Sequence, residues 1–393
     1  MASRREINSS EESAGSGASS IARDTRITCL FLDATELELE TDSAILQRSL
    51  SLTSVILTTS SFSRRFQSAR FRPDLQEINQ IGSGLQGVVF EVIEKSYVLK
   101  KESPGNEARS SNIRREYNTH CDVSAAFEHY RHATHNMVHV PKPHNFMFKT
   151  QNDAFWGKVF PKMPQAYRMR GNVIIMDRIL PLPKVVRKAL VTYFCGRERD
   201  LSITDIESLL SNPSNKHCLV RVYLGKANGS LNQDNPAPLR NFPLHLGFMK
   251  ELGIDTLALA KEMGKAYATL HWGAATNGDD VEFPQEEPRA FVESPDFQHR
   301  AIGLYLLDFG QCEAVDLTQD CDVIYQAFKG AMVTGDNQLF IPHSSTSPAL
   351  FAAFKKGYID TGSVILSAKQ ITDKFSMEDF MQEYEEYAEN LVY

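Results

Sequence analysis

The stretch that decides the fold is Ile81-Gly82-Ser83-Gly84-Leu85-Gln86-Gly87-Val88-Val89-Phe90. It carries the spacing G-x-G-x-x-G, which occurs both in dinucleotide-binding folds and in glycine hairpins that cover nucleotide phosphates. A dinucleotide site needs a helix directly after the last glycine. Here Gly87 is followed by two valines and a phenylalanine, which favour a strand. The stretch therefore predicts a β-hairpin whose backbone N–H groups face phosphates, with Gly82, Gly84 and Gly87 as nucleotide-binding residues.

Three further segments follow in the order found in protein kinases. A short strand ends in Lys100, which is placed to hold phosphates. Glu116 lies on a predicted helix that begins at Ser110 or Ser111, where it can pair with Lys100. The segment 306–310 reads Leu-Leu-Asp-Phe-Gly and resembles a strand followed by a metal-binding Asp-Phe-Gly, which makes Asp308 a magnesium ligand. Each segment alone is weak evidence, but the four in this order predict an α+β, two-lobed, protein-kinase-like fold with a β-rich small lobe and a mainly helical large lobe.

Composition agrees with a globular protein of this size. The chain has 393 residues, of which 42% are hydrophobic and 23% are charged. Its net charge of −7 argues against a nucleic-acid partner. The sequence contains no apolar run long enough to span a bilayer, and the N-terminus has no positive-then-apolar signal pattern. We therefore expect an intracellular protein, cytoplasmic or nuclear, without a membrane partner.

The organisation along the chain follows from composition and from the kinase-like segments. The first residues are rich in Ser, Gly and Glu, which cannot bury enough apolar surface to become ordered. The sequence gives no role for the residues between this tail and the glycine stretch. We predict a disordered tail 1–25, an N-terminal extension 26–75, a small lobe 76–180 and a large lobe 181–393.

Local patterns place the junction between the lobes and the clearest helices. The continuous apolar run 173–176 is typical of a strand buried on both faces. The proline-containing segment from Asp177 to Pro183 ends that strand and predicts the hinge, so Asp177 is a nucleotide-binding candidate. Amphipathic helices are predicted over 256–271 and 377–391, with Asp255 and Ser376 as their N-caps.

The catalytic loop departs from the kinase pattern. That pattern requires a catalytic Asp and, five residues later, a metal-binding Asn. Counting forward from His271 puts Asp279 in the first position and Pro284 in the second. Counting back from the following strand puts Glu282 in the second position and Asn277 in the first. Neither register gives an intact pair.

Two classes of function remain open on these residues. In the first, the chain is a pseudokinase-like regulatory or interaction module that binds a nucleotide and an unknown protein or small-molecule partner. In the second, it is an active atypical kinase that uses ATP and Mg²⁺, with Asp279 or Asp280 near the acceptor and Asp308 and Glu282 on the metal. The sequence has no Ala-Pro-Glu motif and thus no ordinary activation segment, so a small-molecule acceptor is favoured over a protein. The sequence leaves open whether the chain is an enzyme.

A third class, a zinc-dependent nucleic-acid binder, is disfavoured. Cys121 and five histidines between residues 129 and 144 lie in a short stretch. A structural zinc module would show paired ligands such as C-x-x-C with a matching second pair. The chain has no such pair, so we expect no zinc.

Several motifs together resemble an uncharacterised fungal family with a kinase-like core, whose members are often loosely labelled zinc finger proteins. The resemblance covers roughly residues 76–370. It rests on Ile81-Gly82-Ser83-Gly84 with Gly87, Met176-Asp177-Arg178-Ile179 with Leu182-Pro183, Cys218-Leu219-Val220-Arg221-Val222-Tyr223-Leu224-Gly225, Leu270-His271-Trp272, Asp280-Val281-Glu282-Phe283, and Leu307-Asp308-Phe309-Gly310-Gln311-Cys312. In the family the position of Asn277 is often acidic, so Asn277 is a departure that favours lost catalysis. The resemblance implies the kinase-like fold and no known substrate.

Overall fold

The computed structural model describes residues 30–52, 54–58, 78–84, 86–93, 95–103, 107–196, 200–229, 239–286, 291–294, 297–301 and 303–391. Helices and strands both contribute to the fold, so the α+β class is confirmed. The predicted tail 1–25 lies outside the described residues.

The strands of the described residues form three sheets. They are β1 Leu30–Asp33, β2 Ser54–Thr58, β3 Ile78–Ser83, β4 Gly87–Val92, β5 Tyr97–Glu102, β6 Pro143–Met147, β7 Val173–Asp177, β8 Val220–Tyr223, β9 Phe242–His245, β10 Pro284–Glu286, β11 Phe291–Ser294, β12 Phe297–Ala301 and β13 Gly303–Leu304. The strand orders are β3-β4-β5-β7-β6, β13-β10-β8-β9 and β1-β2-β12-β11.

The helices concentrate in the second half of the chain. They are α1 Ala34–Leu37, α2 Asp42–Ser49, α3 Glu107–Thr134, α4 Asp153–Val159, α5 Lys184–Leu190, α6 Ile203–Ser211, α7 Pro213–Lys216, α8 Leu246–Glu251, α9 Thr256–Ala268, α10 Cys321–Met332, α11 Asn337–Phe340, α12 Pro348–Lys369 and α13 Met377–Glu389. Single π-helical turns, Val191–Cys195 and Thr269–Gly273, continue α5 and α9.

The five-stranded sheet is antiparallel throughout and places Lys100 in its middle. In β5, Lys100 pairs with Val89 of β4 on one side and with Ile174 of β7 on the other. The 28-residue helix α3 covers one face. The connection between β6 and β7 covers the other face, where the buried ring of Trp156 on α4 packs on the sheet. Because helices cover both faces of the sheet, water is excluded from β5, and the side chains around it on both faces are mostly apolar.

The N-terminal extension packs against distant parts of the chain. Strand β2 pairs with β1 in parallel and with β12 in antiparallel register. Helix α2 packs its buried Ile45 and Leu46 into the same core cluster as α5. Strands β10, β11 and β12 lie between residues 284 and 301, where β10 pairs with β8 and β13, β11 pairs with β12, and β12 pairs with β2.

The large core is mainly helical, and the predicted caps are present. Asp255 caps α9 by accepting from the N–H of Ala258 at 3.0 Å, and Ser376 caps α13 by accepting from Asp379 at 3.1 Å. Helix α3 begins at Glu107, three residues before the earliest predicted start.

Candidate functional site

A cavity of about 390 Å³ lies between the five-stranded sheet and the segments that follow it in sequence. Its volume is in the range of small-molecule sites. One part of its wall is apolar and includes Val89 and Val98 from the sheet and Leu219 and Leu307 from the opposite side. Another part is charged. The charged lining side chains are Lys100, Asp177, Arg221, Arg240, Asp280, Glu282 and Asp308.

The glycine stretch forms the predicted hairpin along this cavity. Strands β3 and β4 pair in antiparallel register, and Gly82, Gly84 and Gly87 all line the cavity. The N–H of Gly84 donates to the carbonyl of Gly87 at 2.9 Å. A Cβ on Gly87 would lie 2.5 Å from the carbonyl oxygen of Lys101, whereas one on Gly84 would meet nothing within 4 Å. The strand pairing therefore requires glycine at position 87, while Gly84 leaves open space beside the cavity.

Lys100 forms the predicted ion pair with Glu116. Its Nζ lies 2.5 Å from Oε1 of Glu116 and 3.3 Å from Oδ1 of Asp308. The Glu116 side chain is only 4% exposed, so the pair is desolvated. Burial opposes the charge on Lys100, but the carboxylates of Glu116 and Asp308 outweigh it and raise the pKa of Lys100. The ammonium group is thus fixed in its charged form at the cavity wall.

Asp308 has a backbone conformation that suits a functional position. Its φ is +60°, in the left-handed region that non-glycine residues seldom adopt. Phe309, which follows it, is buried with its ring 4.9 Å from the ring of His120 on α3. A Cβ on the next residue, Gly310, would collide with the amide of Gln86. The glycine hairpin therefore packs directly on the segment that carries Asp308.

His271 is buried and its contacts hold the start of the catalytic-loop segment in place. Its ring is fully buried and stacks on Phe328 with centroids 4.2 Å apart. Burial lowers the pKa of His271 to about 3, so the ring is neutral. Nε2 then donates to the carbonyl of Asn277 at 3.1 Å, and Nδ1 accepts from the hydroxyl of Tyr358 at 2.8 Å. Trp272 donates to the same hydroxyl at 2.9 Å. These contacts fix where the loop starts.

The two candidate catalytic aspartates point to different surroundings. Asp280 lines the cavity, whereas Asp279 does not. The carboxylate of Asp279 accepts from the hydroxyl of Thr334 at 2.8 Å instead. Asp280 accepts from the side-chain amide of Gln311 and, at 3.3 Å, from the N–H of Asp336. Burial and the carboxylates of Asp336 and Asp308 raise the pKa of Asp280.

Asn277 and Pro284 both have structural roles. Oδ1 of Asn277 accepts from the N–H groups of Asp279 at 3.2 Å and Glu313 at 2.8 Å, which shapes the loop. Pro284 is the first residue of β10, where its carbonyl accepts from Tyr305 at 2.8 Å. Neither residue lines the cavity.

Glu282 lines the cavity and is paired with Arg221 of β8. Nη2 of Arg221 lies 2.5 Å from Oε1 of Glu282, and Nη1 lies 3.5 Å from Oδ2 of Asp336. Burial raises the pKa of Glu282 to about 7, and the carboxylates of Asp308, Asp336 and Asp280 add to the rise that Arg221 opposes. Arg221 is not among the site residues predicted from the sequence. Its closeness to Glu282 depends on the pairing of β8 with β10, which no local pattern reveals.

Asp177 also lines the cavity. Oδ1 of Asp177 is 2.8 Å from Nε2 of His144, and Oδ2 accepts from the N–H of Lys142 at 3.3 Å. The carboxylate therefore ties β7 to β6 at the point where the chain leaves the sheet.

The two residues assigned to magnesium do not fit a metal site as they stand. Asp308 faces the ammonium of Lys100, and Glu282 faces the guanidinium of Arg221. Magnesium requires several oxygen donors in octahedral geometry. Across the described part of the chain, no three His, Cys, Asp or Glu side chains are grouped so that they could hold a metal ion.

Comparison with protein-family models and with curated proteins gives no match for this chain. Among the helices in the described ranges, none is both long enough and apolar enough to cross a bilayer.

Proposed function

We propose that this chain is a kinase-like nucleotide-binding protein with a degraded catalytic loop, acting as a pseudokinase-like regulatory or interaction module. The observation that carries the proposal is the contact of Lys100 with Glu116 and Asp308 in the cavity that the glycine hairpin lines. A fixed ammonium and the open space beside Gly84 suit phosphate groups. The apolar wall at Val98 and Leu219 suits a purine ring.

The order of elements supports the same proposal. A five-stranded antiparallel sheet with one long helix after its third strand precedes a mainly helical region, and the cavity lies between them. That arrangement, with Lys100 on the third strand and Glu116 on the helix, resembles protein kinases. The resemblance to the fungal kinase-like family remains part of this proposal.

An active atypical kinase acting on a small molecule is the second candidate. It is supported by Asp280, which lines the same cavity as Lys100 and Asp308. The binding module is favoured because both metal candidates already face a cation. Of the two residues that can occupy the position of the catalytic Asp, Asn277 shapes the loop and Asp279 bonds to Thr334 outside the cavity. The proposal includes no preformed binding site for Mg²⁺ or zinc among the described residues.

Thermal unfolding with and without millimolar ADP tests nucleotide binding. A ligand that binds only the folded state stabilises it by about 2.7 kcal/mol at one hundred times its Kd. We expect an upward shift of Tm in the wild type. The double variant Lys100→Met/Glu116→Gln should lose the shift, because it removes the phosphate-facing charge without leaving a buried carboxylate unpaired.

The matched control is Lys95→Met, which removes an exposed lysine from the turn between β4 and β5. It should keep the full shift. If neither ADP nor ATP changes the Tm of the wild type, the proposed nucleotide-binding function is wrong.

A further inference from the structure

Arg221 is held in place by two carboxylates at the cavity wall. Its guanidinium contacts Glu282 at 2.5 Å through Nη2 and Asp336 at 3.5 Å through Nη1. The side chain of Arg221 is only 16% exposed. A planar guanidinium with several donors can hold two carboxylates at once, which a lysine ammonium does less well.

This guanidinium lies beside the carboxylate that the kinase pattern assigns to a metal ion. Glu282 is the residue that the catalytic-loop register offers as a metal ligand, and it lines the cavity together with Asp280 and Asp308. In the kinase pattern, the residue at the Glu282 position and the Asp of Asp-Phe-Gly hold divalent cations that neutralise the ligand phosphates. Here Arg221 supplies a positive charge from the protein itself. A cation approaching Glu282 would be repelled by that charge and would have to displace it.

We propose that Arg221 is an internal cation that takes the place of a divalent metal beside Glu282, so that nucleotide binding does not depend on magnesium. The proposal rests on the nucleotide-binding function proposed above. Lys100 neutralises one side of the ligand site and Arg221 the other, while Asp308 and Glu282 are each satisfied by one of these cations.

Binding of Mn²⁺ alone tests the role of Arg221 without any nucleotide. Electron paramagnetic resonance at about pH 8 would compare the wild type with Arg221→Gln, which leaves Glu282, Asp280 and Asp336 without the guanidinium. We expect weak Mn²⁺ binding in the wild type and at least tenfold tighter binding in the variant. Equal affinity in the two proteins would overturn the proposal.

Arg240→Gln is the matched control for charge. Arg240 also lines the cavity and is exposed, so the substitution removes the same charge from the same wall without freeing Glu282. Its Mn²⁺ affinity should stay within threefold of the wild type. An increase equal to that of Arg221→Gln would show a general effect of charge and would count against a specific role for Arg221.

Calorimetric titration of the wild type with ADP, once in EDTA and once in excess Mg²⁺, tests the consequence for the ligand. We expect the two affinities to agree within threefold, and we expect Arg221→Gln to bind at least tenfold more weakly in EDTA than in Mg²⁺. A tenfold gain from Mg²⁺ in the wild type would overturn the proposal and leave nucleotide binding intact. Absence of ADP binding in both conditions would instead overturn the proposed function, and the Mn²⁺ comparison would still decide whether Arg221 excludes a metal.

Discussion

His120 links the helix that carries Glu116 to the segment that carries Asp308. It is 2% exposed, its Nε2 donates to the carbonyl of Pro141 at 2.6 Å, and its ring packs on Phe309. Burial lowers the pKa of His120 to about 4. An unfolded histidine has a pKa of about 6.5. The stability gained from the neutral ring is therefore complete above pH 6.5 and is lost as the pH falls from 6.5 towards 4.

This shift predicts a measurable change in the pH dependence of unfolding. His120→Gln keeps a donor for Pro141 and removes the titration. Between pH 7 and pH 5, we expect the wild type to lose about 2 kcal/mol more unfolding free energy than the variant. Urea denaturation at both pH values gives the comparison, with His132→Gln on the exposed side of α3 as control. Parallel pH dependence in the wild type and His120→Gln would show that burial does not shift this histidine.

At the scale of elements, two glycines of the hairpin have different roles. Gly87 is required for the packing of the strands, whereas Gly84 leaves space beside the cavity. Gly87→Ala would place a Cβ 2.5 Å from the Lys101 carbonyl, and the β4–β5 pairing would have to move. We expect a loss of about 1–3 kcal/mol in unfolding free energy. Gly84→Ala meets no atom within 4 Å and should change the free energy by less than about 0.5 kcal/mol. Chemical denaturation checks both, and equal losses would mean that the hairpin is not held by this contact.

Local sequence patterns predict those elements that are encoded by residues close together in the chain. The glycine hairpin, the caps at Asp255 and Ser376, and the Lys100–Glu116 pair follow from short motifs in a fixed order. The sheet formed by β1, β2, β11 and β12 does not, because β2 and β12 are separated by more than two hundred residues and neither strand carries a sign of its partner. The pairing of Arg221 with Glu282 was missed for the same reason. Long-range strand pairing is set by the whole core.

At the scale of the whole molecule, the site is assembled from elements that are far apart in the chain. The sheet supplies Lys100, α3 supplies Glu116, and the loop after β13 supplies Asp308. Strand β8 then brings Arg221 to Glu282 at the cavity wall. Phosphoryl transfer works by positioning and by neutralising charge, so it needs a carboxylate near the acceptor that is free to accept a proton. In this arrangement the carboxylates of the cavity already have partners.

We therefore expect wild-type protein to turn over ATP no faster than Asp308→Ala, in the presence of either Mg²⁺ or Mn²⁺. The informative pair is Asp280→Asn and Asp279→Asn. Asp280 lines the cavity, whereas Asp279 bonds to Thr334 outside it, so only Asp280 is placed to act on an acceptor. Release of phosphate from ATP, with a panel of small alcohols as acceptors, gives the measurement. Turnover at about 1–100 s⁻¹ that Asp308→Ala and Asp280→Asn abolish and Asp279→Asn preserves would establish the active kinase instead. Equal slow release in all four proteins would mark contamination and leave the binding module as the function.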